Sequence, residues 1–158
     1  MDDLLTVILQ DTYTLSQFKK RLKILQSYFQ QQFFHSLATE NLTPRDSQWF
    51  KSLPKSFMES FNKDNLSQNL SSLNSKINST PILTVYLPID VSDEALDQIG
   101  SKVRNLFGEN FLLDVKYNPN LIAGCALTWK GIYKDYSLHS RIGERKLAIL
   151  QSFKKFLR

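Results

Sequence analysis

The stretch Asn118 to Ser137, NPNLIAGCALTWKGIYKDYS, constrains this chain more than any other. Pro119 fixes φ and holds Asn118 in extended or turn geometry, so the chain enters the next segment at a defined angle. A short apolar run, Leu121 to Trp129, then reads as a strand. Gly124 falls inside it, where the missing Cβ admits a close neighbour. Lys130-Gly131 supplies a hairpin turn, with Gly131 taking the positive φ that two-residue loops need. Ile132 to Tyr136 is the return strand. An isolated hairpin is marginal in water, so this one must pack on other elements.

The elements around it are readable from spacing. Asp2 to Gln10 predicts a short helix with Leu4, Leu5, Ile8 and Leu9 on one side, and with Asp2 and Asp3 at the positive end of its dipole. Thr14 with Gln17 forms a capping-box signature for a second helix. That helix carries a stripe of Leu15, Phe18, Leu22, Leu25, Phe29 and Phe33. Lys19, Lys20, Arg21 and Lys23 crowd its first half and read as a solvated basic face. Asn41 to Pro44 breaks it, and Thr43-Pro44 caps a short third helix with Trp49 and Phe50. Pro54 separates a fourth, spanning Phe57 to Ile77, whose many Asn and Ser residues leave its stability to packing.

Residues 1–76 thus predict a small helical bundle. The polar segment before Pro81 reads as a linker over residues 77–81. From residue 82 the pattern is β-α-β-β-β-α: a strand at Ile82 to Leu87, then a helix from Ser92 to about Phe107 ended by Gly108. Its inward positions are Ala95, Ile99, Val103 and Leu106. Strands come next at Phe111 to Tyr117, Leu121 to Trp129 and Ile132 to Tyr136. A last helix opens near Ser137 and is expected to bury Leu138, Ile142, Ile149, Leu150, Phe153 and Leu157. If it outruns the sheet, its end projects with a mixed basic and apolar surface that suits an acidic amphipathic helix. The fold class is α+β, an N-terminal helical bundle followed by an α+β domain over residues 82–158.

Charge is unevenly placed. Of the net +5, residues 136–158 hold six Lys/Arg against one Glu, so the basic excess belongs to the last helix. Apolar content of 42% is enough for a core. No apolar run approaches the roughly 18 residues that span a bilayer. An acidic start, MDDLLTVILQ, argues against a secretory signal and for a cytosolic location. The single cysteine, Cys125, excludes an intrachain disulfide.

Chemistry finds little purchase. His35 and His139 are the only histidines and lie in different predicted units, and no spacing pairs either with Cys125. There is no Gly-rich phosphate loop and no metal-ligand cluster. Asp93, Glu94 and Asp97 form the densest acidic group, and a helix N-terminus accounts for the first two. No cofactor and no catalytic residue is expected.

The 118–137 stretch resembles the C-terminal domain of the delta subunit of F-type ATP synthases, the oligomycin sensitivity-conferring protein family. That family reads Asp-Pro-x-Leu-Ile-Gly-Gly, strand formers, a Gly turn, then Asp-Gly-Ser-Val and a last helix. Pro119, Leu121, Ile122, Gly124, Gly131, Asp135 and Ser137 stand at the matching places, while Asn118, Ala123 and Tyr136 depart from it. LTVYLPIDVSDEAL resembles the family's strand, Pro-Leu and Ser-x-x-x-Leu segment, so the likeness runs mainly over residues 82–145.

The resemblance implies a non-catalytic stator subunit, one copy in a hetero-oligomer. It would join the catalytic head of a proton-translocating ATP synthase to the peripheral stalk, on the cytoplasmic face of the energy-transducing membrane and reaching the membrane only through the complex. In the family, the N-terminal bundle receives the N-terminal helix of an alpha subunit and the C-terminal domain receives the end of the stalk b subunit. Ile8, Leu22 and Phe29 are the candidates at the first surface, Phe153 and Leu157 at the second. The family's bundle has six helices, against about four expected here.

Two other readings stand beside it. The E-type stalk subunit of V-type and archaeal-type ATPases ends in a similar Pro-x-Ile-Gly-Gly motif and a Ser-Arg-Leu helix, which Ser140-Arg141-Ile142 resembles; such subunits begin with one long helix, which Pro44 and Pro54 interrupt here. A nucleic-acid-binding module would fit the pI near 9.3. Against it, the aromatics recur at core spacing rather than between basic residues, and no nucleic-acid partner is expected.

Overall fold

The computed structural model describes residues 2–35, 42–107 and 111–156. Five helices come first: α1 (Asp2–Leu9), α2 (Leu15–Phe34), α3 (Pro44–Ser52), α4 (Lys55–Glu59) and α5 (Leu66–Ile77). After them come β1 (Ile82–Leu87), α6 (Asp93–Phe107), β2 (Leu112–Tyr117), a 3-10 turn (Pro119–Leu121), β3 (Ala126–Trp129), β4 (Ile132–Asp135) and α7 (Leu138–Phe156). The fold is α+β, with helices preceding a four-stranded sheet.

Local chemistry sets the helix limits. Thr14 accepts from the Gln17 N–H, and the Gln17 side chain accepts from the Thr14 N–H at 3.2 Å, so the predicted capping box closes. Thr43 and Pro44 start α3 as expected, with Asp46 donating its N–H to the Thr43 hydroxyl. The single helix expected from Phe57 to Ile77 is instead two. Asn62 accepts from the N–H groups of Asp64 and Asn65, and Asn65 accepts from the N–H of Asn62 at 2.8 Å. Asparagine side chains offering the backbone this alternative break the helix between α4 and α5. Among the described residues the bundle therefore has five helices rather than about four. The breaker expected at Asn41 and the stop expected at Gly108 lie outside the described residues.

Burial matches the predicted stripe. Phe18, Leu25 and Phe29 are sealed against Ile8, Leu9, Trp49, Phe57, Phe61, Leu66, Leu73 and Ile77. Phe29 stacks on Phe61 at 4.7 Å between ring centres and on Phe33 at 5.6 Å. Stacked rings of this kind add to the stabilisation from burying their area. Leu112 of β2 belongs to the same core. Apolar packing thus crosses residues 77–81, where the chain turns from helix to sheet.

The strand order is β2-β1-β3-β4, with β1 and β2 parallel across α6 and the remaining pairs antiparallel. Val85 stands opposite Val115 on one side and Leu127 on the other. β2 also meets the α1–α2 connector: Leu113 N–H donates to the Tyr13 carbonyl at 2.9 Å, in a parallel bridge with Thr14.

The structure corrects further expectations. The strand predicted from Leu121 begins only at Ala126, because Asn118 captures the Asn120 N–H and Pro119 has none to give, which winds Pro119–Leu121 into a 3-10 turn. Gly124 therefore lies in the turn before the strand, not within it, and β4 ends at Asp135, one residue early. On α6, Ile99 and Leu106 do not face inward; Leu106 is 78% exposed. Finally, α7 buries none of the residues expected of it, since past its first turn the fold offers nothing to pack against. Leu157 lies outside the described residues.

Gly124 has φ +85°, and a Cβ there would sit 2.6 Å from the Tyr136 carbonyl oxygen. Gly124→Val should cost about 1–3 kcal/mol from strain and overlap. Thermal unfolding should then shift down by several degrees. An unchanged melting temperature would contradict this account of the turn.

Candidate functional site

Most of the motif residues, Gly131 at the hairpin tip excepted, converge on one structure, the anchor of α7. Asn118 donates its N–H to the Leu87 carbonyl at 2.7 Å, tying the turn to the end of β1. Leu121 is buried, whereas Ile122 takes φ +65° and points outward. Lys130 and Gly131, at φ +49° and +78°, make the hairpin turn with both central residues left-handed, which matches the strand twist. At the opposite end of the hairpin, the 118–125 turn meets the junction of β4 and α7. Tyr136 N–H donates to the Cys125 carbonyl at 2.9 Å and Leu138 N–H to the Ala123 carbonyl at 2.8 Å, with Gly124 giving the close approach. Asp135 accepts from the Ser137 N–H at 2.8 Å, and hydrogen bonding from the Ser137 side chain and then its backbone holds the Asp135 carboxyl below the usual range. Ser137, fully buried, caps α7 by accepting from the Ser140 N–H at 3.2 Å.

What this anchor presents is a bare helix. Nineteen residues at 1.5 Å rise make roughly 28 Å of helix. Ile142, Ile149, Phe153 and Phe156 succeed one another at spacings of seven, four and three, forming a seam along one side. Phe153 is 64% exposed and Phe156 is 94% exposed. Arg141, Arg145, Lys146, Lys154 and Lys155 surround the seam, against one acid, Glu144. A continuous apolar seam left in water marks an interaction surface.

A second surface lies on the bundle. A groove of about 900 Å³ runs between α2 and α5, with Leu22, Phe34, Leu66 and Leu70 as its apolar lining. Lys19, Lys23 and Lys63 line it, and no carboxylate does among the described residues. Of the residues expected to shape this end, Leu22 reaches the groove, while Ile8 and Phe29 are sealed in the core and cannot touch a partner. At the other end, Phe153 is on the exposed seam.

The basic run of α2 divides three ways. Lys19 and Lys23 face the groove. Lys20 pairs with Asp46 at 2.6 Å. Arg21, expected in solvent, is 5% exposed, its guanidinium 4.5 Å from the Trp49 ring centre and donating to the Thr12 hydroxyl at 2.6 Å. Burial brings its pKa down to about 10. Sequence spacing missed the groove's α5 side, because Leu66 and Leu70 resemble core residues until the α2–α5 separation is known. Both candidate surfaces are apolar with a cationic border, suited to amphipathic helices with acidic flanks.

Among the described residues no group of three or more His, Cys, Asp or Glu could hold a metal ion. Cys125 is half-buried, and His35 and His139 are exposed. No helix among them is long and apolar enough to cross a membrane. The chain matches no protein-family model and no curated protein.

Asp46 supplies a pH test of the contact between α3 and α2. Burial raises its pKa, but hydrogen bonds from Lys20 and Thr43 outweigh this and hold it below the ordinary 3.8. The folded carboxyl thus binds protons less readily than the unfolded one, so its stabilisation is present above about pH 4 and is lost as pH falls through the lowered value. Asp46→Asn should therefore cost stability at pH 7 and much less at pH 3, measured by urea unfolding. An equal loss at both pH values would contradict the assignment.

Proposed function

We propose that this chain is a non-catalytic stator subunit of a rotary ATP synthase, similar to the F-type delta subunit. It would be peripheral, at the cytoplasmic face of the energy-transducing membrane, and attached there through its partners. The observation that carries this reading is α7: the 118–125 turn, bonded to the junction of β4 and α7, holds up a helix whose apolar seam the fold leaves uncovered. A stator must hold two bodies against torque, and extended apolar helix contacts resist detachment better than isolated surface ion pairs. The α7 seam would take the end of the stalk b subunit. The α2–α5 groove would take the N-terminal helix of an alpha subunit, with Lys19, Lys23 and Lys63 facing its acidic side chains. Among the described residues, five separate helices before the sheet, none longer than 20 residues, favour this over the E-type subunit, which begins with one long helix.

Affinity capture of the tagged chain from detergent-solubilised membranes of its native cells tests the reading. Recovery of alpha, beta and b subunits together is expected, and a chain that is always recovered alone overturns it. Phe153→Asp, at an exposed position, should leave the melting temperature in place while weakening capture of the b subunit by about 2 kcal/mol, roughly thirtyfold. Undiminished capture would remove Phe153 from the contact.

A further inference from the structure

One side of α6 is given over to the helical bundle. Asp97, Gly100 and Arg104 stand at i, i+3 and i+7, which places them on a single helix face. Each meets the connector between α1 and α2 or the start of α2. Arg104 Nη1 donates to the carbonyls of Leu9 at 2.6 Å and Gln10 at 3.3 Å, and Nη2 donates to that of Thr12. Its Nε donates to the Phe111 carbonyl at 3.3 Å, beside β2. A cation thus sits at the C-terminal end of α1, where the last carbonyls lack intrahelical partners and the dipole is negative. The same guanidinium lies 4.7 Å from the Tyr13 ring centre.

Gly100 lets Tyr13 come down onto α6, because any Cβ at 100 would overlap the Tyr13 Cβ. Asp97 accepts from Gln17 Nε2 at 2.9 Å and pairs with Arg45 Nη2 of α3. Gln17 works twice, since its carbonyl oxygen closes the α2 capping box while its amide reaches across to α6. On the sheet side, the Leu113 N–H to Tyr13 bond adds the connector to the free edge of β2, and Leu112 enters the bundle core.

We infer that the Asp97-Gly100-Arg104 face of α6 is a clamp that closes on the α1–α2 connector and makes the chain a rigid bracket, holding the α2–α5 groove and the α7 anchor at a fixed distance and angle. Hinging about residues 77–81 would require breaking the clamp, the β2-edge bond and the Leu112 packing together. The mechanical use rests on the stator reading: load applied at one surface reaches the other without slack. The rigidity stands without it, because it is a property of the free chain.

The test uses the full chain with Cys125→Ser and spin labels at two exposed positions, Ser71→Cys on α5 and Lys134→Cys on β4, read by pulsed electron-electron resonance. A single narrow distance distribution is expected. Arg104→Gln and Gly100→Val should each broaden it about twofold, with helical circular dichroism retained. Asp97→Asn, a milder change, should broaden it less and serves if Gly100→Val does not fold. A broad distribution in the parent, or an unchanged width in Arg104→Gln and Asp97→Asn, overturns the clamp. The measurement needs no partner, so its failure leaves the stator reading in place, and failure to capture subunits leaves the clamp in place.

Discussion

The rest of the structure depends on how α7 is held. Ser137 is sealed, its hydroxyl caps the helix, and the Leu138 N–H reaches back to Ala123, so the first turn is fixed by hydrogen bonds to the rest of the fold. Nothing comparable holds the later turns, where every described residue from Arg141 onward is exposed. A helix of this length gains little from propensity alone in water, and Ile142, Ile149, Phe153 and Phe156 gain nothing from the fold that carries them. An apolar seam fixed at one end and otherwise bare is the arrangement that the proposed docking role requires.

The fold behind this anchor is built to resist displacement. β1 is central, pairing in parallel with β2 and antiparallel with β3, so the hairpin and its turns are hydrogen-bonded into the sheet rather than appended to it. The sheet is joined to the bundle at three levels: the shared core at Leu112, the backbone bond from Leu113 to Tyr13, and the side chains of α6. Apolar burial supplies the bulk of the stabilisation, and the directional bonds fix the angle at which the two halves meet.

The sequence made local chemistry legible and long-range geometry much less so. The Thr14-Gln17 capping box, the Thr43-Pro44 start, the limits of β1 and the Lys130-Gly131 turn each arise from residues a few positions apart, and each stands where expected. The split between α4 and α5 was equally local, but apolar spacing from Phe57 to Ile77 masked the reciprocal Asn62-Asn65 bonds that cause it. Leu121 to Trp129 failed as a strand because apolar content outweighed the Asn-Pro signal before it. Arg21 could not be told from its basic neighbours without knowing that Trp49 lies over its face of α2. The apolar pattern of α7 marks a surface that needs covering, and pattern alone cannot say whether its cover comes from within the chain. The i, i+3, i+7 spacing of Asp97, Gly100 and Arg104 was present to be read, but its meaning required the position of Tyr13.

The central claim is that α7 is a docking helix whose cover comes from a partner. Hydrogen-deuterium exchange over residues 145–156 tests it most directly, comparing the free chain with the chain in complexes isolated from detergent-solubilised membranes. The account predicts fast exchange in the free chain and strong protection in the complex. Slow exchange in the free chain, or equally fast exchange in both, would contradict it.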